Sequence, residues 1–251
     1  MALGVANLMF GGEQFGTTIN MSEYQEKHTV SRLVGSPAGY VGYGEGGVLT
    51  EAVRQRPYSV VLLDEVEKAD LEVMNLFYQV FDKGMLSDGE GRLIDFKNTI
   101  IFLTSNLASA TIMEMCEGDE MPSMDELNEA IRVQLQNHFK PALLARMTVI
   151  PFFPLQGEVL NSIVKIKLDK VGKRLKQNQA LEFDFDEKVI EQIASRCTDI
   201  ESGARNIDHI VNKTLLPLIS TKILNKIGDE TEYSNLILRI SQDGEFEVEL
   251  S

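Results

Sequence analysis

The chain has 251 residues, 43% hydrophobic and 25% charged, proportions typical of a globular protein with one large or two small domains. Its net charge of −14 disfavours a nucleic-acid partner, because a protein surface that binds nucleic acid neutralises the phosphates with Lys and Arg. No apolar run could span a membrane, and the N-terminal residues lack a signal-peptide pattern. Cys116 and Cys197 lie far apart in sequence, which predicts free thiols and a cytoplasmic location.

The first elements in chain order are a helix and a short strand. Residues 2–10 have apolar side chains at helical spacing and are followed by Gly11-Gly12, which predicts a helix that ends there. A strand is expected over residues 17–20, with a helical turn after Ser22.

A glycine-rich segment follows over residues 35–47, and no helix or strand tolerates so many glycines. Large side chains, among them Tyr40 and Val41, interrupt the glycines. An aromatic side chain can hold a polypeptide by stacking and apolar contact without reading its sequence, so one hypothesis is a loop that grips a chain. The alternative is a plain flexible loop whose tyrosines fold back onto the protein.

The central motif is a buried strand that ends in two acids. Four aliphatic residues, 60–63, precede Asp64 and Glu65, and ligands bind at the carboxyl ends of parallel strands. An Asp at this position can hold Mg²⁺, and a neighbouring Glu can take a proton from an attacking water. This is the form of a Walker B element. An ordinary strand that ends in a polar turn is the alternative.

A second strand repeats this design. Residues 70–83 are predicted to form a helix with one apolar stripe, and residues 88–91 a hairpin turn. Residues 99–103 then read as a fully buried strand that ends in Thr-Ser-Asn. If the two strands are neighbours, Asn106 lies near both acids and can orient a water or contact a phosphate.

Between residues 114 and 154 the pattern predicts an acidic loop (114–126), a helix (125–139), a helical turn that ends at Arg146 and a strand over 148–150. The Pro-Phe-Phe-Pro segment that ends at residue 154 reads as a linker. We therefore expect an α/β domain over residues 1–153 and a smaller α+β domain over 154–251.

The C-terminal part alternates helices and strands. Its predicted elements are helices over 156–178 and 186–196, a helix that opens at Ser202 and is interrupted near Pro217, and strands over 181–185, 235–241 and 245–250.

Five segments together resemble the second AAA+ ATPase module of the Clp/Hsp100 unfoldases. In order they are Gly-Tyr-Val-Gly-Tyr (39–43), Val-Val-Leu-Leu-Asp-Glu (60–65), Thr-Ser-Asn (104–106), Leu-Ala-Arg (144–146) and Gly-Ala-Arg (203–205). The resemblance covers nearly the whole chain. It implies an AAA+ P-loop-type parallel sheet followed by a Clp-type small domain.

The resemblance also implies roles for single residues in binding and hydrolysing ATP with Mg²⁺. Asp64 would be the Walker B acid on the metal side and Glu65 the hydrolytic base. Asn106 would be the sensor-1 residue. Arg146 would be the arginine finger that reaches a neighbour's nucleotide, and Arg205 would be the sensor-2 arginine, which contacts nucleotide from the small domain.

Tyr40, followed by Val41, would be the substrate-gripping residue of the pore loop. The implied partners are identical subunits in a hexameric ring and a polypeptide substrate, with neither nucleic acid nor membrane.

Within the family, segments 42–53 and 81–91 resemble the ClpV group, which recycles the contractile sheath of type VI secretion. The ClpB disaggregases are the alternative group.

One departure from the family concerns the phosphate loop. The family has Gly-x-x-x-x-Gly-Lys-Ser/Thr directly before the helix at 2–10, and no Gly-Lys-Ser/Thr occurs in these 251 residues. The resemblance thus implies a fragment that begins just past this motif and lacks the first strand of the sheet. That loop normally binds the β- and γ-phosphates, so we expect negligible ATP affinity for the chain alone. A non-catalytic assembly or binding module is the second hypothesis for it.

Overall fold

The computed structural model describes residues 1–118, 120–155, 157–197, 203–225 and 233–251. These residues form two compact units, Met1–Phe152 and Phe153–Ser251, and each unit has its own hydrophobic core. Three positions named above, Asp119 of the acidic segment, Gln156 at the start of a predicted helix and Ser202 at the start of another, lie outside the described residues.

The first unit is built on a parallel sheet with helices on both faces. Its strands are β1 (Gly16–Asn20), β2 (Ser59–Asp64), β3 (Met85–Ser87), β4 (Leu93–Asp95) and β5 (Thr99–Leu103). Its helices are α1 (Ala2–Phe10), α2 (Val30–Val34), α3 (Val48–Gln55), α4 (Leu71–Lys83), α5 (Ser109–Met115), α6 (Met124–His138) and α7 (Pro141–Leu144). Strands β1, β2 and β5 lie side by side in the order β1-β2-β5, and β3 and β4 form a separate hairpin.

Strand β2 is covered on both faces, which explains its continuous aliphatic sequence. Successive side chains of a strand point to opposite faces. Val61 and Leu63 therefore join the main core with α4, whereas Val60 and Leu62 pack with α1 on the other face. The predicted parallel pairing of β2 with β5 is confirmed, with Leu63 opposite Leu103.

Helix α4 has clear start and stop signals. The Asp70 side chain accepts a hydrogen bond from the Glu72 N–H at 2.7 Å, and Gly84 ends the helix in the left-handed conformation at φ 68°. Its predicted apolar stripe packs in the main core, where Phe77 is fully enclosed, except that Leu71 at the first position of the helix is exposed. The helix thus covers the face of the sheet that carries Leu63.

Two expectations for this sheet were wrong. Strand β5 was predicted to be fully buried, but all of its residues are only half-buried, because it is the edge strand of the sheet as described. Residues 148–150 were predicted to form a strand but have no regular structure. A strand needs a hydrogen-bonded neighbour, and no described segment pairs with these residues.

The second unit packs helices against a small mixed sheet. Its helices are α8 (Gly157–Gln179), α9 (Glu187–Ser195), α10 (Gly203–Ile210) and α11 (Leu216–Leu224), and its strands are β6 (Glu182–Phe185), β7 (Asn235–Ile240) and β8 (Phe246–Leu250). Strand β7 is central, parallel to β6 and antiparallel to β8. A π-helical turn, Val211–Leu215, separates α10 from α11, so the interruption predicted near Pro217 is confirmed.

No helix in the described ranges combines the length and the apolarity needed to cross a membrane. The same residues include no group of three or more His, Cys, Asp or Glu side chains that could hold a metal ion by themselves.

Candidate functional site

The carboxyl end of β2 is joined to the end of β5 through Thr104. The Thr104 hydroxyl donates to the Asp64 carboxylate and accepts the Glu65 backbone N–H at 3.1 Å. Backbone bonds continue the pairing, from the Thr104 N–H to the Leu63 carbonyl (2.9 Å) and from the Val66 N–H to the Thr104 carbonyl (3.0 Å). One threonine therefore fixes both acids at the tip of the sheet. We call Asp64, Glu65 and Thr104 the acidic tip.

Glu65 has an unusual backbone conformation for a residue with a side chain. Its φ of 58° and ψ of 48° are left-handed, a conformation that costs a non-glycine residue about 1–3 kcal/mol and often occurs at functional sites. Its carboxylate is half-buried and has no hydrogen-bond or ion-pair partner among the described side chains. An acid held in this way is free to accept a proton from a water molecule.

Asn106 lies two residues beyond Thr104, at the same end of the sheet. Its carbonyl accepts hydrogen bonds from the Ser109 N–H (3.2 Å) and the Ser109 hydroxyl (2.7 Å), so this short turn is well fixed. The Asn106 side chain is exposed, and no described residue is hydrogen-bonded to its amide. The residue is therefore available to a ligand at the strand tips.

Thr104 belongs to the Thr-Ser-Asn segment, but its role in holding the two acids was not predicted from the sequence. The signal that could have identified it is its position. A hydroxyl that directly follows β5 lies beside an acid that ends the neighbouring strand, because Leu63 and Leu103 are paired.

Replacing Thr104 with Val is expected to lower the free energy of unfolding of the chain by about 1 kcal/mol, because two hydrogen bonds at the acidic tip are lost. Thr104→Ser keeps the hydroxyl, so its free energy of unfolding should fall by less. Urea unfolding of both variants measures the difference. A loss in Thr104→Ser as large as or larger than that in Thr104→Val would contradict the role given to the hydroxyl.

Arg146 is exposed just after α7 and is bound within its own unit. Its guanidinium donates to the Asp82 carboxylate at 2.5 Å and to the Ala142 carbonyl at 2.7 Å. It makes no contact with Asp64 or Glu65. The ion pair is solvent-exposed on both sides, and such pairs contribute only about 0–1 kcal/mol. The pair can therefore open at little cost.

Arg205 lies on α10 in the second unit and is exposed. The segment before it, residues 198–202, is outside the described residues.

The glycine-rich loop presents its large side chains to solvent. Tyr40 is 71% exposed and Val41 is fully exposed. The alternative, in which the tyrosines fold back onto the protein, does not agree with this exposure. The base of the loop is closed by bridges between Gly35 and Gly46 and between Ser36 and Tyr43. An exposed aromatic tip on a closed base is suited to contact another molecule.

Comparison with known proteins identifies both units. Residues 1–150 match the family model described as the AAA domain (Cdc48 subfamily), and residues 155–233 match the C-terminal, D2-small domain of ClpB protein.

Among curated relatives, the AAA+ ATPase ClpV1 of Pseudomonas aeruginosa is 49% identical over 251 residues, which are 100% of this chain and 28% of that protein. The chaperone protein ClpB of Yersinia enterocolitica is 52% identical over 224 residues, or 89% of this chain and 25% of that protein. The chain thus spans little more than a quarter of the length of these relatives.

A solved structure of Hsp104 with ATPγS and FITC casein, in a closed state, has a TM-score of 0.84 and 30% identity, and the match covers 99% of this chain and 42% of that one. The predicted α/β fold is confirmed by this likeness. With the AAA domain model matching more than half of its residues, the chain belongs to the AAA+ family, as a second module of the Clp/Hsp100 type.

Proposed function

We propose that the chain is the C-terminal ATPase module of a Clp/Hsp100 protein unfoldase, which couples ATP hydrolysis to the threading of a polypeptide. The acidic tip is the observation that carries this proposal. Thr104 holds Asp64 and Glu65 at the carboxyl end of the parallel sheet, where ligands bind in such folds.

Each residue of the proposed site has a role that its surroundings permit. Asp64 is half-buried and hydrogen-bonded to a hydroxyl, so its oxygens suit Mg²⁺, a hard cation that neutralises the phosphate charge. Glu65 accepts the proton of the attacking water, and Asn106 orients that water or contacts the γ-phosphate. Arg205 contributes to nucleotide binding from the small domain.

Arg146 is proposed to act on the nucleotide of a neighbouring copy in a hexameric ring. Its weak pairing with Asp82 leaves it free to move, and its exposed position suits a contact between copies. A solved relative was described with casein, a polypeptide, which supports a polypeptide as the second partner. Tyr40 and Val41 would grip that polypeptide, because they are the exposed tip of the glycine-rich loop.

Within the family we propose a ClpV-like role in type VI secretion, with sheath subunits as substrate, in the cytoplasm. The match to ClpV1 over all 251 residues of this chain and the motifs at 42–53 and 81–91 support it. A ClpB-type disaggregase is the second candidate, because the identity to one ClpB is of similar size.

The test compares phosphate release by the 251-residue chain and by a form extended upstream through a phosphate loop. We expect no measurable ATP hydrolysis by the chain alone and hydrolysis by the extended form. Adding sheath tubules or aggregated protein to the extended form then separates the two substrate classes. An extended form that assembles but releases no phosphate would favour a non-catalytic assembly module.

A further inference from the structure

The turn between β3 and β4 is in direct contact with the base of the glycine-rich loop. The Gly89 N–H donates to the carbonyl of Val34, the last residue of α2, at 2.8 Å. The hydroxyl of buried Thr50 donates to the same carbonyl at 3.2 Å. Carbonyls at a helix end lack partners within the helix, so these two donors fix the point at which the loop begins.

Two glycines allow the backbones to approach this closely. A β-carbon on Gly89 would lie 2.5 Å from the carbonyl carbon of Gly35, and one on Gly47 would overlap the backbone of Leu33 and Val34. Gly89 does not have a left-handed φ, so the requirement for glycine there is steric. We call the contact of Gly89 with Val34 and Gly35 the loop clamp.

The turn that carries Gly89 is itself rigid. The Asp88 carboxylate is 5% exposed and accepts hydrogen bonds from the Arg92 side chain (2.7 Å) and from the N–H groups of Arg92 and Glu90. Burial opposes ionisation of Asp88, but these hydrogen bonds hold its pKa below the usual value. A turn fixed by these three hydrogen bonds resists being displaced when the loop moves.

The neighbouring helix α3 is electrostatically linked to the same turn. A hydrogen bond from Arg54, the main cause, together with one from Gln55, lowers the pKa of Glu51 to about 2, and the charge of Arg92 contributes. Helix α3 directly follows the loop and leads into β2, whereas the turn leads through β4 into β5. The loop base is therefore joined to β5 through the loop clamp and β4, and to β2 through α3.

We infer that the β3–β4 turn is a positioning element for the glycine-rich loop. The loop clamp ties the start of the loop to β5, while α3 ties its end to β2. Movement of the acidic tip is thereby transmitted to Tyr40 and Val41 through Gly89, which belongs neither to the acidic tip nor to the exposed tip of the loop. The consequence for threading depends on the proposed function, but the clamp is a contact that can be tested separately.

The test uses Gly89→Ala in the full-length protein that contains these residues. The added methyl group forces the turn away from Gly35. Gly91→Ala is the matched control, because it strains the same turn at φ +81° but meets no atom within 4 Å. Two quantities are measured for both variants, namely hydrogen exchange in residues 35–47 and the amount of polypeptide unfolded per ATP hydrolysed.

We expect Gly89→Ala to speed exchange in residues 35–47 and to lower the unfolding yield per ATP about tenfold, with ATP turnover within about twofold of wild type. Gly91→Ala should change neither quantity to that extent. A general loss of stability would lower ATP turnover as well. The amount of polypeptide unfolded per ATP therefore distinguishes a displaced loop from a less stable protein. If Gly89→Ala does not fold, Thr50→Val removes the second donor to Val34 and should shift both quantities in the same direction.

The inference would be overturned if hydrogen exchange and unfolding yield in Gly89→Ala were the same as in the wild type. It would also be overturned if Gly91→Ala changed both quantities as much as Gly89→Ala does. If the wild-type protein hydrolyses ATP but unfolds no polypeptide, the proposed function fails. In that case the comparison of hydrogen exchange between Gly89→Ala and Gly91→Ala still tests whether the loop clamp holds the loop.

Discussion

Glu65→Gln is expected to lower ATP turnover in the full-length protein at least about 100-fold, which is the usual contribution of a general base. ATP affinity should stay near wild type, because the amide keeps the size of the side chain and Asp64 remains to hold Mg²⁺. Glutamine also adds no bulk at the left-handed position, where the backbone is held by the bond to Thr104. Steady-state phosphate release and nucleotide titration measure the two quantities.

Glu129→Gln is a suitable control. Glu129 is exposed on α6 and is not part of the acidic tip, so this variant loses one negative charge without affecting the site. Its turnover should equal that of the wild type. Retained turnover in Glu65→Gln would refute the assignment of the base.

Arg146→Ala is expected to reduce turnover about 1,000-fold or more, the size of effect known for arginines that stabilise transition-state charge. Stability should change little, because the exposed pair with Asp82 contributes at most about 1 kcal/mol. Turnover is measured on assembled protein, and thermal unfolding of the same sample reports on stability.

Asp82→Asn distinguishes a role of Arg146 in acting on nucleotide from its role in the ion pair with Asp82. It weakens the same ion pair but leaves the guanidinium in place. Turnover in Asp82→Asn should remain within a few-fold of wild type if Arg146 acts on nucleotide. A loss as large as that of Arg146→Ala would mean that the arginine matters for its ion pair with α4.

Local patterns were sufficient to predict most of the fold. The aliphatic run of β2, the stripe of α4 and the hairpin turn at 88–91 each have a strong short-range signal, and each is present. The interruption near Pro217 follows from the chemistry of one residue.

The errors have a common cause. The burial of β5 and the structure of residues 148–150 depend on which segments lie next to them in space, not on their own side chains. An apolar run signals a strand, but it cannot show whether that strand has a neighbour on both sides.

Only part of the site was predicted, because the rest of it also depends on which segments lie next to each other in space. Asp64 and Glu65 follow one strand directly, so their position could be inferred from local pattern. The bond from Thr104 depends on the register between β2 and β5, and the loop clamp depends on contacts between segments about 50 residues apart. Neither has a signal within its own segment.

The central claim is that the acidic tip is one half of an ATP site that Arg146 of a neighbouring copy completes. Mixing Glu65→Gln subunits with Arg146→Ala subunits tests it most directly. Some interfaces of the mixed assembly then combine an intact Glu65 with an intact Arg146. The account predicts that ATP turnover rises well above that of either variant alone, and a mixture that stays as inactive as its two components would contradict it.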